Sequence, residues 1–540
     1  MRHSVRWLPG LLLILLLYAC GPAAPTRVPT SAPVPTTTTP IPPPTPYPTT
    51  STIRLFADGS GTYATLEEAV AAAAPGQTIQ MEAGTYRLEQ PLEISHSLRL
   101  LGAGMDETTI VGAAGDYVLR FSGGGYLAAE NLTFRYEGQE EADVVVVWGG
   151  EVMLSSCRFT GAVYKGSNDR AGLHLSLDTT GTVEGCVAEG NNPAGILVDD
   201  EAQPDLQQNV CQDNDVVGIG YNGQAGGTAW NNTCSSNDFG IGVHGEAQPT
   251  LAENVCRGNE IAGIEYEGTA GGTAQANECT GNLIGIVVSE AAQPTLENNL
   301  CQDNSQDGIS YMGTAGGTAR ANTCTGNTLF GIYVGDQAQP TLEQNICREN
   351  EDAGIAFRGG SGGTALRNEC TGNGFAGIYV DDQAQPLLEE NTANENSQAG
   401  LVYADTAGGI ARDNECSHNG VDGIWVVQQA QPILEGNTCQ QNADSGIAYG
   451  DDGAGTARQN VCTQNGWYGI LLEGQARPTL EENTCNENGS LGIGYFNETS
   501  GTARRNECAY NKIGLSVAQT ASPELVDNNC HDNTQFDIFP

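Results

Sequence analysis

Basic residues are scarce. The 540 residues hold only 22 lysines and arginines against 65 aspartates and glutamates, for a formal charge of −43. That balance repels phosphate backbones and anionic membrane surfaces, so nucleic acid is excluded as a partner and neutral or cationic molecules are favoured. Histidine and methionine are also few, six and five, which argues against soft-metal handling. The 17 cysteines include no Cys-x-x-Cys pair, so a zinc ribbon is excluded.

The opening "MRHSVRWLPGLLLILLLYAC" has a short basic start and an apolar run too brief for a comfortable membrane span. It reads as an export signal over residues 1–19. Its "LYAC" ending resembles the lipobox of bacterial lipoproteins, which implies cleavage before Cys20 and lipid attachment to the Cys20 sulfur. Tyr18 is untypical of that box, and a plain secretory peptide with an incidental cysteine is the alternative. Residues 20–52, rich in Pro and Thr, cannot form a core and read as an extended tether. The expectation is an extracytoplasmic monomer that meets the bacterial membrane through its lipid anchor only.

What the remainder has in abundance is repetition. Proline recurs at 204, 249, 294, 340, 386 and 432 in "QP" pairs and at 478 after Arg477, with glycine variants such as "AGGTA" halfway between. Each unit is thus about 23 residues, in two alternating flavours. Every unit also carries "NxCxxN", from Cys211 to Cys530 with Ala393 once in the cysteine slot, and a "GIxV" or "GIxY" segment. A metal ligand or disulfide half does not become alanine without loss, whereas a small filler does. Where the segment ends in Val the later strand carries Leu (Val334 with Leu342), and where it ends in Tyr it carries Ala (Tyr311 with Ala319). That exchange keeps the volume per layer constant, so these side chains face one interior.

Short strand signals separated by Gly and Asn corners, without helical periodicity, describe an all-β chain. The expected architecture is a right-handed single-stranded parallel β-helix of about 19–20 coils. A leucine-rich repeat has an overlapping period, but its "LxxLxL" is missing. Residues 53–182 read as cap and irregular coils, and 183–540 as the regular array. Asparagines at the corners should form ladders, taking left-handed backbone where the strand turns. Cysteines should stack inward as reduced fillers, although neighbours one coil apart also lie within disulfide reach.

The stretch "DGSGTYATLEEAVAAAAPGQTIQMEAGTY" (58–86) resembles the N-terminal cap and first coil of the pectin-lyase-like superfamily, particularly of pectin methylesterases. Its "TLEEAVAAAA" would be a helix closing the solenoid's end. The repeats resemble those of the carbohydrate-binding and sugar-hydrolase group and of NosD-like periplasmic proteins. The resemblance implies the fold and leaves function open. The QAV, QDT and DFIFG segments of pectin methylesterases and the NTD, GHG and RIK segments of polygalacturonases are absent, which argues against an enzyme.

Two surface rows remain. The middle residue of successive "GIxV" segments is Tyr333, Tyr379 and Trp425, two coils or roughly 9.6 Å apart. Such a row can stack on sugar rings, or consist merely of good strand residues on a half-exposed face. Beside it lie corner acids, among which Asp382 and Asp405 occupy adjacent coils roughly 5 Å apart. They can satisfy turn amides, hold calcium together with Asp381, or act as a glycosidase pair. Apart from calcium no cofactor is expected. The leading reading is a surface lipoprotein binding extracellular glycan. The alternatives are a polysaccharide-active lyase, hydrolase or epimerase, and a NosD-like accessory or purely structural protein.

Overall fold

The computed structural model describes residues 51–166 and 169–539. The expected signal peptide, Cys20 and nearly all of the tether lie outside the described residues.

The chain winds as a right-handed parallel β-helix with three faces, most coils contributing a strand to each and a few only a single bridge to the third. The first face, here the groove sheet, is built from the "GIxV" segments, with Ile309, Ile332 and Ile355 in register on successive coils. The second carries the alternating Leu and Ala, as in Leu296, Ala319 and Leu342. It has 21 strands, slightly more than the repeat count suggested, because the irregular first coils are more numerous. The third carries the cysteines, as in Cys301, Cys324 and Cys347. Coils near the start are uneven, with Leu98 paired to Leu127, whereas later ones are regular, with Thr250 paired to Thr273.

The N-terminal end is closed by a short helix, Leu66–Ala72. Thr65 caps it by accepting the Glu68 amide at 3.2 Å, while the Glu68 carboxylate accepts the Ala64 amide at 2.9 Å. This reciprocal box satisfies two amides that the helix cannot. Leu66, Ala69 and Val70 turn into the core.

Inside, Val334 and Leu342 share a layer, as do Tyr311 and Ala319, all four shut off from solvent. The described cysteines are free thiols, buried except for the half-buried Cys530. Burial holds Cys347 and Cys439 well above the usual thiol range, so they act as apolar filler. Ala393 sits fully buried in the same column.

The glycine before each Ile has a steric cause. A Cβ on Gly331 would stand 2.5 Å from the Gly354 carbonyl oxygen and 2.9 Å from the Cys347 Cβ. The backbone step over this glycine breaks strict alternation. Ile332 lies in the main core, while Phe330, two residues earlier, joins a separate cluster outside it.

Two asparagine ladders pin the corners. Asn345 Oδ1 accepts both the backbone amide and the side-chain Nδ2 of Asn322 at 3.0 Å, and Asn345 Nδ2 donates at 2.9 Å to Ala319 O and to Asn368 Oδ1. Every polar atom of the side chain is thus used. The left-handed residue is not the asparagine, as expected, but the one before it, such as Gln344 (φ 56) and Glu349 (φ 55). The side-chain bonds hold the corner, so the preceding residue absorbs the turn.

Candidate functional site

The groove sheet places Tyr333, Tyr379 and Trp425 in one outward column, each partly exposed, with Ala356 and Val402 between them on the intervening coils. Small residues on alternate coils leave room for the rings to lie down across the strands. A Cβ on Gly335 would stand 2.5 Å from Tyr333 Oη, and one on Gly450 would stand 3.9 Å from Trp425 Nε1. The gap at Gly335 supplies space that the Tyr333 ring occupies, whereas a Cβ at Gly450 would only touch Trp425.

Two aromatics not singled out in the sequence complete the strip. Phe330 stacks on Tyr333 with ring centroids 5.8 Å apart, and Phe375 meets Tyr379 edge-on at 5.6 Å. Together with Ala353, Ala376 and Ala399 these rings form one apolar cluster outside the core. The signal for them was an aromatic residue one or two places before the "GI" pair, in "LFGI" and "FAGI". Strict alternation, which the glycine step breaks, hid it.

Polar groups border the strip. Asp381, almost fully buried, accepts Tyr379 Oη at 2.7 Å, Arg358 Nη2 at 2.9 Å and the Asp382 amide at 2.7 Å. Burial opposes its charge, but the hydrogen bonds from Tyr379 and Asp382 prevail and hold its carboxyl below the usual carboxylate range. Asp405 is exposed and moves the other way, raised by its contact with Asp381. Asp382 Oδ2 accepts the Gly359 amide at 3.0 Å and lies 4.0 Å from Arg358 Nε. Carboxylate oxygens of Asp381, Asp382 and Asp405 come within 4.8 Å of one another. Both Asp382 (φ 57) and Asp405 (φ 50) are left-handed corner residues. Asp336 repeats the corner bond, accepting the Gly313 amide at 2.8 Å. Arg358 already supplies positive charge to two of the three acids.

Two further acids lie on this face. Asp307, buried at one end of the strip, accepts Ser310 Oγ at 2.7 Å, and burial raises it to about 6. Asp422, in the same strand as Trp425, accepts the Ser445 amide at 3.0 Å and is raised by burial and by Asp444 to about 7. A shallow depression on the leucine face, lined by Gln385, Pro386, Thr406, Gln429 and Gln431, includes no ionisable group or aromatic ring.

This stacked three-sheet coil, with its side chains ordered in columns, defines a parallel β-helix. Residues 143–299, 206–339, 284–439, 352–475 and 433–539 match the family model described as right handed beta helix region, and the chain belongs to that family. No curated protein matches it. Among solved structures, a periplasmic alginate epimerase is 14% identical over 63% of this chain and 82% of its own, with a TM-score of 0.41. An alpha-1,3-glucanase from Streptomyces thermodiastaticus is 16% identical over 60% of this chain and 64% of its own, TM-score 0.41. Pectin methylesterase from carrot is 16% identical over 46% and 82%, TM-score 0.29. At these identities the likeness is one of fold.

Proposed function

We propose that the protein is an exported β-helix that binds an extended extracellular polysaccharide lengthwise along the groove sheet. The supporting observation is the strip itself. Tyr333, Tyr379 and Trp425 recur every second coil in one outward column, each partly exposed. Aromatic faces pack against the C–H faces of sugar rings. A spacing of roughly 9.6 Å suits a two-residue repeat of an extended glycan. Asp381 and Arg358 along the border offer an acceptor and donors for sugar hydroxyls. Export and lipid attachment at Cys20 rest on the N-terminal sequence, and the glycan would be met outside the cytoplasm. Screening the purified protein against an array of polysaccharides tests the reading directly, since a strip of this kind should give length-dependent binding to at least one β-linked chain.

A second reading, cleavage or epimerisation of that glycan, is favoured by one observation. Asp381 and Asp405 touch and shift in opposite directions, the arrangement by which paired carboxyls divide acid and base roles. Calcium at Asp381, Asp382 and Asp405 is a third use of the same cluster. Arg358 weakens it by satisfying part of the charge. Product release and calcium-dependent stability separate these uses.

A further inference from the structure

Four coils before Tyr333 the same groove sheet changes character. The strand Phe239–Val243 is followed by His244, and the next strand, Ala262–Tyr266, carries Glu265 in its outward column and is followed by Glu267. His244 and Glu265 are both more than nine-tenths buried. His244 Nε2 lies 3.0 Å from Glu265 Oε2, and its Nδ1 lies 3.6 Å from Glu267 Oε2. One donor atom from each of the three residues falls within 4.8 Å of the others.

A second observation comes from the preceding coil. Val198, Tyr221, Val243 and Tyr266 pair in sequence up the ladder, so the residues after them form the next outward column. In that column Asn222 precedes His244. Asn222 is only 3% exposed, yet its Oδ1 accepts no hydrogen bond and is shut off from solvent. An orphaned buried carbonyl oxygen calls for a missing partner. By register it lies one coil before His244, in the column that His244 and Glu267 continue, so a cation held there could supply the partner it lacks.

We propose that His244, Glu265 and Glu267 bind one divalent ion of the zinc class, with the Asn222 carbonyl oxygen as a further donor. One nitrogen and two carboxylate oxygens are the borderline donors such ions prefer, with bonds of about 2.0–2.2 Å. Two carboxylates neutralise the ion's charge, and burial of Glu265 limits the water that would compete. Calcium, which takes six to eight oxygens, fits poorly beside an imidazole. The ion would fasten two adjacent coils about 19 Å from the aromatic strip, and the inference does not rest on glycan binding. A protonated imidazole clamped between the two glutamates is the rival arrangement, and it needs no ion.

Isothermal titration of chelator-stripped full-length protein with zinc chloride decides between them. The proposal expects one ion per chain, with affinity reduced at least tenfold in His244→Ala and in Glu267→Gln. Asp381→Asn, at the distant cluster, should leave zinc affinity unchanged. Thermal scans identify any variant that misfolds, and the near-isosteric Glu267→Gln at a partly exposed site guards against that outcome. Wild type that binds no zinc, or binds it equally well in both site variants, overturns the proposal. Loss of binding in Asp381→Asn alone would move the ion elsewhere and overturn it too.

Discussion

Tyr379 Oη donates a 2.7 Å hydrogen bond to Asp381 Oδ2, and that same oxygen accepts Arg358 Nη2 at 2.9 Å. A ring that would otherwise swing on its χ angles is thereby tied to the groove floor. Ring orientation on this face is set by buried polar anchors and by glycine gaps. Asp381→Asn keeps the shape of the anchor but removes its charge, so glycan affinity should fall about three- to tenfold, less than on loss of a ring. Equilibrium titration of the variant against the best array hit checks this.

The corner acids should be separable from that effect. Asp382 accepts a backbone amide, which an asparagine oxygen can also do. Asp382→Asn is expected to leave glycan affinity and thermal midpoint unchanged, with calcium or with chelator. Stabilisation of wild type by calcium that disappears in the variant would assign the cluster to an ion, since a ligand stabilises only the state that binds it. Product release by wild type but not by Asp405→Asn would assign the Asp381–Asp405 pair to catalysis.

The tyrosine hydroxyls inside the core make a prediction about stability. Tyr221, Tyr266, Tyr311, Tyr403, Tyr449 and Tyr495 are buried with no hydrogen-bond partner for their Oη atoms. Phe357 occupies the same slot on an intervening coil of that series. Tyr311→Phe should therefore be neutral or stabilising by about 1 kcal/mol, because an unmet buried hydroxyl is removed. Guanidinium unfolding of the pair measures it.

Most of this architecture was legible in the sequence. The repeat length, the exchange of Val–Leu for Tyr–Ala, and the single Ala393 fixed the inward columns, because close packing leaves few other ways to conserve volume. The ladders were legible too, though not the left-handed residue before each asparagine, whose identity varies because only its backbone matters. The aromatic column followed from period-two alternation. Phe330, Asp307 and Asp422 did not, because the glycine step turns their position outward against that rule, and Phe375 lies one residue further before its glycine. The His244 group was hidden for another reason. Its members come from different columns and coils, and no spacing motif joins them.

The asparagine ladder should dominate mid-rod stability. In Asn345→Ala, the Asn322 amide and side chain lose their shared acceptor, and Ala319 O and Asn368 Oδ1 each lose a donor. Leaving several buried groups unmet should cost on the order of 3–5 kcal/mol. Asn533→Ala, in the half-exposed last coil, should cost far less. Hydrogen exchange along the chain would show opening centred on the altered coil.

Asp422 predicts the sign of a pH effect. Its folded value, about 7, lies above the ordinary carboxyl value, so the folded state binds the proton more tightly than the unfolded one. Stability from this group is present at low pH and lost as pH rises through the folded value. Asp422→Asn, which keeps an oxygen for the Ser445 amide, should raise the melting temperature by several degrees at pH 8. The gain should vanish below about pH 4, where both states carry the proton. A gain that grew on acidification would contradict the assignment.

The central claim is that sugar rings lie on Tyr333, Tyr379 and Trp425. Its most direct test is titration of wild type and Trp425→Ala with oligosaccharides of increasing length cut from the polysaccharide that the array selects. The account predicts affinity rising in steps as each added disaccharide reaches another ring, and a loss of about 1–3 kcal/mol on removing Trp425, with the fold unchanged. Affinity independent of length, or equal in wild type and variant, would contradict it.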